Sequence, residues 1–222
     1  MPVMDEFKNE RESIRNASLS KKLEYFKDYY LLKTIAVIAV ALFSGSFLFR
    51  VFSAKETALY AVLVNFTELQ ENTDGLTAPF AEKYLNPKKQ SVIIDHSSFI
   101  SSDENEVNFV KYGYEDEQRL FTMVMAGDMD LFISGEDIIS HYAEQTWFDD
   151  LSTVLSESDL QKLNERILYH QGIPVAVRIP ESSVLNQYYY YSGNSTEGIY
   201  AGFPAGSSRR TTAVNFLMYL FE

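Results

Sequence analysis

Between Thr34 and Phe49 the chain reads TIAVIAVALFSGSFLF, sixteen residues without a charge, followed by Arg50, Val51 and Phe52. Counted to Phe52 the segment makes about 28 Å of helix at roughly 1.5 Å per residue, just enough for a hydrocarbon core of about 30 Å. Arg50 can extend its stem toward the polar surface. Two other readings compete. A cleaved signal peptide has a short n-region, but 33 residues precede this run and no clear small-x-small site follows it. A buried helix of a water-soluble domain is rarely apolar on every face for five turns. The expectation is a membrane span over residues 34–53, with lipid as its partner. Residues 1–33 would form a cytoplasmic juxtamembrane segment and 54–222 an extracytoplasmic domain.

The flanks give the orientation. Lys21, Lys22, Lys27 and Lys33 precede the run, whereas Arg50 and Lys55 follow it. Positive residues favour the cytoplasmic side, so the expected form is single-pass in the cell membrane, N-terminus inside, C-terminal domain outside. The charged stretch EFKNERESIRNASLSKKLEYFKDYY reads as a juxtamembrane stalk, with a short amphipathic helix as the alternative. Tyr25, Phe26, Tyr29 and Tyr30 suit the interfacial belt.

Charge separates the two parts. Residues 1–53 carry 8 Lys and Arg against 6 Asp and Glu, while 54–222 carry 11 against 25, a net of −14. Such a body repels polyanions, which excludes nucleic acid as an expected partner. With 46% hydrophobic and 14% aromatic residues, the chain is not a wholly disordered polymer. It holds no cysteine, which removes disulfides, thiolate zinc sites, a thiol nucleophile and lipid attachment through cysteine.

Five apolar runs read as strands: 58–64, 91–95, 130–134, 175–179 and 199–203. Helices are expected over 79–85, stopped by Asn86-Pro87, and over 116–126, stopped by Gly127. In the latter, Leu120, Phe121, Val124 and Met125 would face inward. Further helices follow at 136–144, with Ile138, Ile139 and Tyr142 inward, and at 159–166. A last one, capped by a serine at 207, would be buried through Val214, Leu217, Met218 and Phe221. Asp103, Glu104 and Glu106 read as a solvated helix start. Strands separated by helices predict a three-layer α/β domain around a mostly parallel five-stranded sheet.

The segment MVMAGDMDLFISGEDIISHYAEQTWFDDLSTVL and the tail GIYAGFPAGSSRRTTAVNFLMYLFE together resemble type-2 extracellular solute-binding proteins. The first is similar to that family's "helix, A-G-D-x-D, strand, helix, aromatic, x-D-L-S"; the second to its late strand and "S-x-x-x-x-A-x-x-F-L-x-x-L". The resemblance spans roughly 57–222 and places the last helix on the first lobe. Only some 30 residues separate Ile167 from the last strand, too few for a second lobe, so a single lobe without a hinge is implied. It implies a membrane-anchored binding module, accessory to a transporter's membrane subunit or holding a small solute or peptide. The alternative is an envelope structural or regulatory protein that has lost ligand binding.

Chemistry is sparse. Asp95 and His96 invite a hydrolase reading, but neighbours on a strand point to opposite faces, and no G-x-S-x-G or H-E-x-x-H pattern occurs. No catalytic residue, metal or cofactor is expected, and the chain is not read as an enzyme. Asp128, Asp130, Glu136 and Asp137 lack calcium-loop spacing and read as turn and cap residues. The run Tyr188–Tyr191 suits a contact surface or the core equally. Ligands favour the carboxyl ends of strands in an α/β sheet. Those ends supply the candidate site: Asn65, Phe66 and Thr67; Ser97 and Ser98; and Ser134, Gly135 and Glu136.

Overall fold

The computed structural model describes residues 15, 17–69, 74–100, 113–193 and 198–222. They fall into two compact units, Met1–Ala54 and Lys55–Glu222. The acids at 103, 104 and 106 lie outside the described residues.

The first unit holds helices α1 (Leu19–Tyr29) and α2 (Leu31–Ser53), joined at Tyr30. Rings of Tyr25 and Phe26 lie 5.8 and 6.4 Å from that of Tyr30, and Lys33 sits over the Tyr30 ring at 5.9 Å. Within α2, Leu31–Phe49 carries a single charge, Lys33, is otherwise strongly apolar, and is unburied. By length and composition it matches a membrane anchor or a signal sequence.

The second unit is α/β. Its strands are β1 (Glu56–Val64), β2 (Phe66–Glu68), β3 (Gln90–Ser98), β4 (Leu131–Gly135), β5 (Ile167–His170), β6 (Ile173–Arg178), β7 (Tyr189–Tyr191) and β8 (Ile199–Gly202). Its helices are α3 (Asp74–Tyr84), α4 (Tyr114–Ala126), α5 (Glu136–Glu144), α6 (Leu151–Val154), α7 (Glu157–Leu163), α8 (Leu185–Tyr188) and α9 (Arg210–Tyr219). Six strands form one sheet in the order β3-β1-β4-β8-β6-β5, and β2 pairs with β7 in a separate ribbon.

The expected five-stranded, mostly parallel sheet is corrected to a mixed sheet of six. The pairs β1–β3 and β1–β4 are parallel, but β8 runs antiparallel to both β4 and β6, and β5 antiparallel to β6. A strand buried on both faces is apolar whichever way it runs, so IYAG says nothing of direction. The sixth strand belongs to a hairpin whose two-residue turn is Gln171-Gly172, both at positive φ (49° and 84°). That turn matches the twist of the flanking strands.

β1 is the centre. Leu59, Ala61 and Leu63 face a core built with Leu131, Ile133, Val177 and Ala201, closed by Phe80 of α3 and Phe216 of α9. Val62 and Val64 face the other way, onto Phe132, Leu120 and Val124 of α4, and Ile138, Ile139 and Tyr142 of α5. Helices therefore cover both faces of the sheet. Each fully buried Leu or Phe contributes about 1.5–3 kcal/mol through apolar area alone.

Three helix readings change. α3 begins at Asp74 and takes Pro79 inside it, rather than starting there. In α4 only Leu120 and Val124 are buried, while Phe121 and Met125 are 53% and 71% exposed. Its inward stripe is a single i, i+4 pair. In α9 the buried residues are Ala213, Phe216 and Leu217, and no side chain caps the helix. Ser207 instead donates its hydroxyl to Asp130 Oδ1 at 2.5 Å.

That bond is part of a buried knot. Asp130, read as a turn residue, has a fully buried carboxylate that also accepts from the Tyr60 backbone N–H and Arg209 Nε, each at 2.7 Å. Arg209 Nη2 donates to the Asp128 carbonyl at 2.7 Å. The neighbouring Arg210 pairs with Asp149.

Gly127 ends α4 at φ 68°, its N–H returning to the Met123 and Val124 carbonyls. A Cβ there would stand 2.7 Å from the Gly206 carbonyl oxygen. Gly127→Ala therefore meets both left-handed strain and a backbone clash, and should destabilise the protein by about 2–3 kcal/mol. Denaturant titration checks this; an unchanged midpoint would contradict the packing of the α4 stop against the loop before α9.

Candidate functional site

The carboxyl ends of β1, β3 and β4 lie side by side, so the three predicted clusters are brought together. Asn65 N–H donates to the Ser98 carbonyl at 3.0 Å, and Ser134 Oγ donates to the Val64 carbonyl at 3.1 Å. Asn65 adopts φ 64°, a conformation that asparagine tolerates better than most residues. There its side chain acts like a strand neighbour to Ile100. The Asn65 amide donates to the Ile100 carbonyl at 2.6 Å and accepts from the Ile100 N–H at 2.7 Å.

The chain then folds over this corner. Ser192 donates both N–H (2.8 Å) and Oγ (2.9 Å) to the Asn65 carbonyl. Phe66, fully buried, meets the Tyr191 ring edge-on at 5.2 Å, and β2 pairs Phe66, Thr67 and Glu68 with Tyr191, Tyr190 and Tyr189. The Tyr191 hydroxyl is buried; burial first, and then the Asp137 charge, raise its pKa, while Ser134, Asn65 and the Gly135 backbone act the other way. The tyrosine run thus serves both uses: Tyr189 is core, and Tyr190 faces solvent.

Of the eight candidates, Asn65, Phe66, Ser98, Ser134 and Gly135 are buried. Thr67 and Ser97 are exposed, and Glu136 is half-buried in the first turn of α5. The polar side chains of Asn65 and Ser134 are engaged with the chain's own backbone. They bind the corner together, and the crevice is lined by its own tyrosines.

Beside it, Asp95 is the hub of a second network. Its Oδ1 accepts from the Ser97 N–H (3.0 Å) and hydroxyl (2.6 Å), and its Oδ2 from Tyr60 Oη and Arg119 Nη1, both at 2.9 Å. Arg119 also donates to Ser98 Oγ. Burial alone would raise the Asp95 pKa, but the bonds from Ser97 and Tyr60 and the Arg119 charge outweigh it and hold it at about 2. Burial, then the bond to Asp95, pushes Tyr60 up to about 12. Tyr60 and Arg119 had no signature in the sequence, because the three partners are joined only by the fold.

His96 points away from this network. Its Nε2 lies 3.5 Å from Glu68 Oε2 and its ring 5.4 Å from that of Tyr189. Asp95 and His96 therefore do not converge on one hydroxyl. Asp128, Asp130, Glu136 and Asp137 do not gather either: among the described residues no group of three His, Asp or Glu side chains is placed to hold a metal.

Because the folded Asp95 pKa is depressed below the ordinary carboxylate value, its stabilisation is complete above about pH 4 and is lost as pH falls through about 2. Asp95→Asn should destabilise the protein at about pH 5, and the gap from the parent should shrink toward about pH 2.5. Urea titrations of the detergent-solubilised chain at both pH values check this; a constant gap would contradict the network.

No protein-family model matches the chain, and no curated protein matches it in sequence.

Proposed function

We propose that the protein is a single-pass, membrane-anchored interaction module whose extracytoplasmic domain resembles one lobe of a type-2 solute-binding protein. It would act as an accessory to a membrane transporter, with residues 1–33 cytoplasmic and residues 54–222 displayed outside. The observation that carries this reading is the pairing of an unburied, strongly apolar helix with a separate domain that has its own core. A helix of that kind lacks any other apolar environment within its own unit, and a bilayer supplies one.

The family resemblance gains support from the tail. β8 sits in the middle of the sheet, and α9 after it packs on Phe80 of α3. This is the place expected of a late strand followed by a helix on the first lobe. Capture of a solute by two closing lobes does not follow, since the domain has one lobe's worth of sheet. Contact with a partner through its surface is the use proposed here, and exposed Tyr190 on the ribbon is suited to it.

One observation favours the second reading, an envelope structural or regulatory protein. The strand-end corner that would hold a ligand is closed by Asn65, Ser134 and Tyr191.

The absence of native cysteine makes the test simple. Cysteines placed at exposed Lys88 and at exposed Ser20 report the two sides with a membrane-impermeant maleimide. Lys88→Cys should react in intact cells, and Ser20→Cys only after permeabilisation. The reverse pattern, or recovery of the outer domain free of membrane, contradicts the proposal. A photo-crosslinking residue at Tyr190 should trap a polytopic transport subunit; trapping an envelope scaffold component instead would select the second reading.

A further inference from the structure

Helices α4 and α5 leave a cleft of about 440 Å³ between them, on the face of the domain away from α9. That volume falls within the range of small-molecule sites, about 300–1,000 Å³. Its inner wall is aromatic. Tyr142 and Trp147, both buried, stack at 4.0 Å with 22° between planes, and the exposed Phe121 ring lies 6.3 Å from Trp147. Exposed Tyr114 stands at the rim.

Two polar groups of the cleft are left over. Gln118 Nε2 donates to the Tyr114 hydroxyl at 2.6 Å, and Gln145 and His141 pair at 3.0 Å, so these four satisfy one another. The Tyr142 hydroxyl does not. Tyr142 is 1% exposed, and its buried hydroxyl has no hydrogen-bond partner among the described residues. A buried hydroxyl without a partner is costly to the fold. Burial, followed by the Glu117 and Asp116 charges, pushes its pKa up, which keeps it protonated. The other group is the Glu117 carboxylate, half-buried in the cleft wall and without an ion pair among the described residues. Among the described residues no Lys or Arg lines the cleft, and the domain around it is strongly acidic.

We propose that this cleft is a binding site for a small organic ammonium ion carrying an apolar body. The ammonium group donates to Glu117 and to the Tyr142 hydroxyl oxygen, and its charge lies against the Phe121 and Trp147 rings, where a cation is attracted by the ring faces. The apolar body fills the aromatic wall. The acid neutralises the ligand's charge, and the hydroxyl gains the partner it lacks inside the fold. The site is separate from the closed strand-end corner. The proposal needs the outer domain to be a binding module but not its topology, so its failure would leave the maleimide pattern unchanged.

The probe is 2-phenylethylammonium, with phenylacetate as the charge-reversed control. Both are titrated into the detergent-solubilised full chain by ligand-observed NMR at mildly alkaline pH, where free histidine is neutral. The expected result is saturable binding of the amine only, weakened at least tenfold by Glu117→Gln, the loss of an ionic partner being worth about one decade or more. Tyr142→Phe should weaken it several-fold while leaving the Tm unchanged or raised, because the hydroxyl makes no bond in the protein. Several results would overturn the proposal. They are no saturable binding, equal binding of phenylacetate, binding indifferent to both substitutions, or a lowered Tm for Tyr142→Phe. Binding of a lysine-rich peptide with none of the free amine would also overturn it, assigning the cleft to a protein partner.

Discussion

The carboxylate of Asp130 has no exposed surface, and the α/β domain is organised around keeping it satisfied. It opens the approach to β4, yet its partners come from β1 and from the loop before α9, 70 and 77–79 residues away. A buried carboxylate is costly unless every lone pair finds a donor. Tyr60 N–H, the Ser207 hydroxyl and Arg209 Nε together provide those donors, and the Asp130 N–H returns to the Tyr60 carbonyl at 2.9 Å. The consequence is geometric. With residues 207–209 held against the start of β4, the chain leaving β8 must turn back at Pro204–Gly206, and α9 is delivered onto the face of β1. Arg210, paired with Asp149, ties the same turn to the entry of α6. The reversed β8 and the helix after it are thus fixed by one buried charge and an adjacent ion pair.

Function is constrained by what this framework leaves open. At the strand ends, Asn65 is already bonded to Ile100, Ser134 to Val64 and Ser192 to Asn65. Each place keeps one buried tyrosine hydroxyl without a partner among the described residues, Tyr191 at the strand ends and Tyr142 between α4 and α5, and the second adds an open cleft with an aromatic wall and a carboxylate. Ligand sites are clefts with a few convergent polar groups. By that criterion the second location is better suited to a ligand than the first, even though the first is where an α/β sheet ordinarily binds.

Much of the architecture was legible because apolar runs and stop signals are local. VIID, LFIS and VAVRI announced strands, and Gly127 announced the end of α4, where the glycine takes the left-handed conformation. What could not be read is long-range. Nothing in AGDMD distinguishes an acid at a turn from a buried acid whose arginine lies 79 residues on. The direction of β8 is set by that same knot, so it was invisible too. β2 and β7 are three residues each, too short for alternation to show, and their pairing joins residues 121 or more apart. Gln171-Gly172 was the one missed signal that was present, a two-residue turn between apolar runs. Periodicity places Phe121 and Met125 inward; both are exposed, and the Phe121 ring lines the α4–α5 cleft.

The most direct measurement of this account is a double-mutant cycle on Asp130→Asn and Arg209→Gln, read by denaturant titration of the intact protein. If the buried pair organises the domain, each single change costs about 3–5 kcal/mol, and the double costs little more than either alone, a coupling well above about 1 kcal/mol. Losses that simply add, to within about 0.5 kcal/mol, would mean that the two side chains act independently, and the account of how β8 and α9 are held would be contradicted.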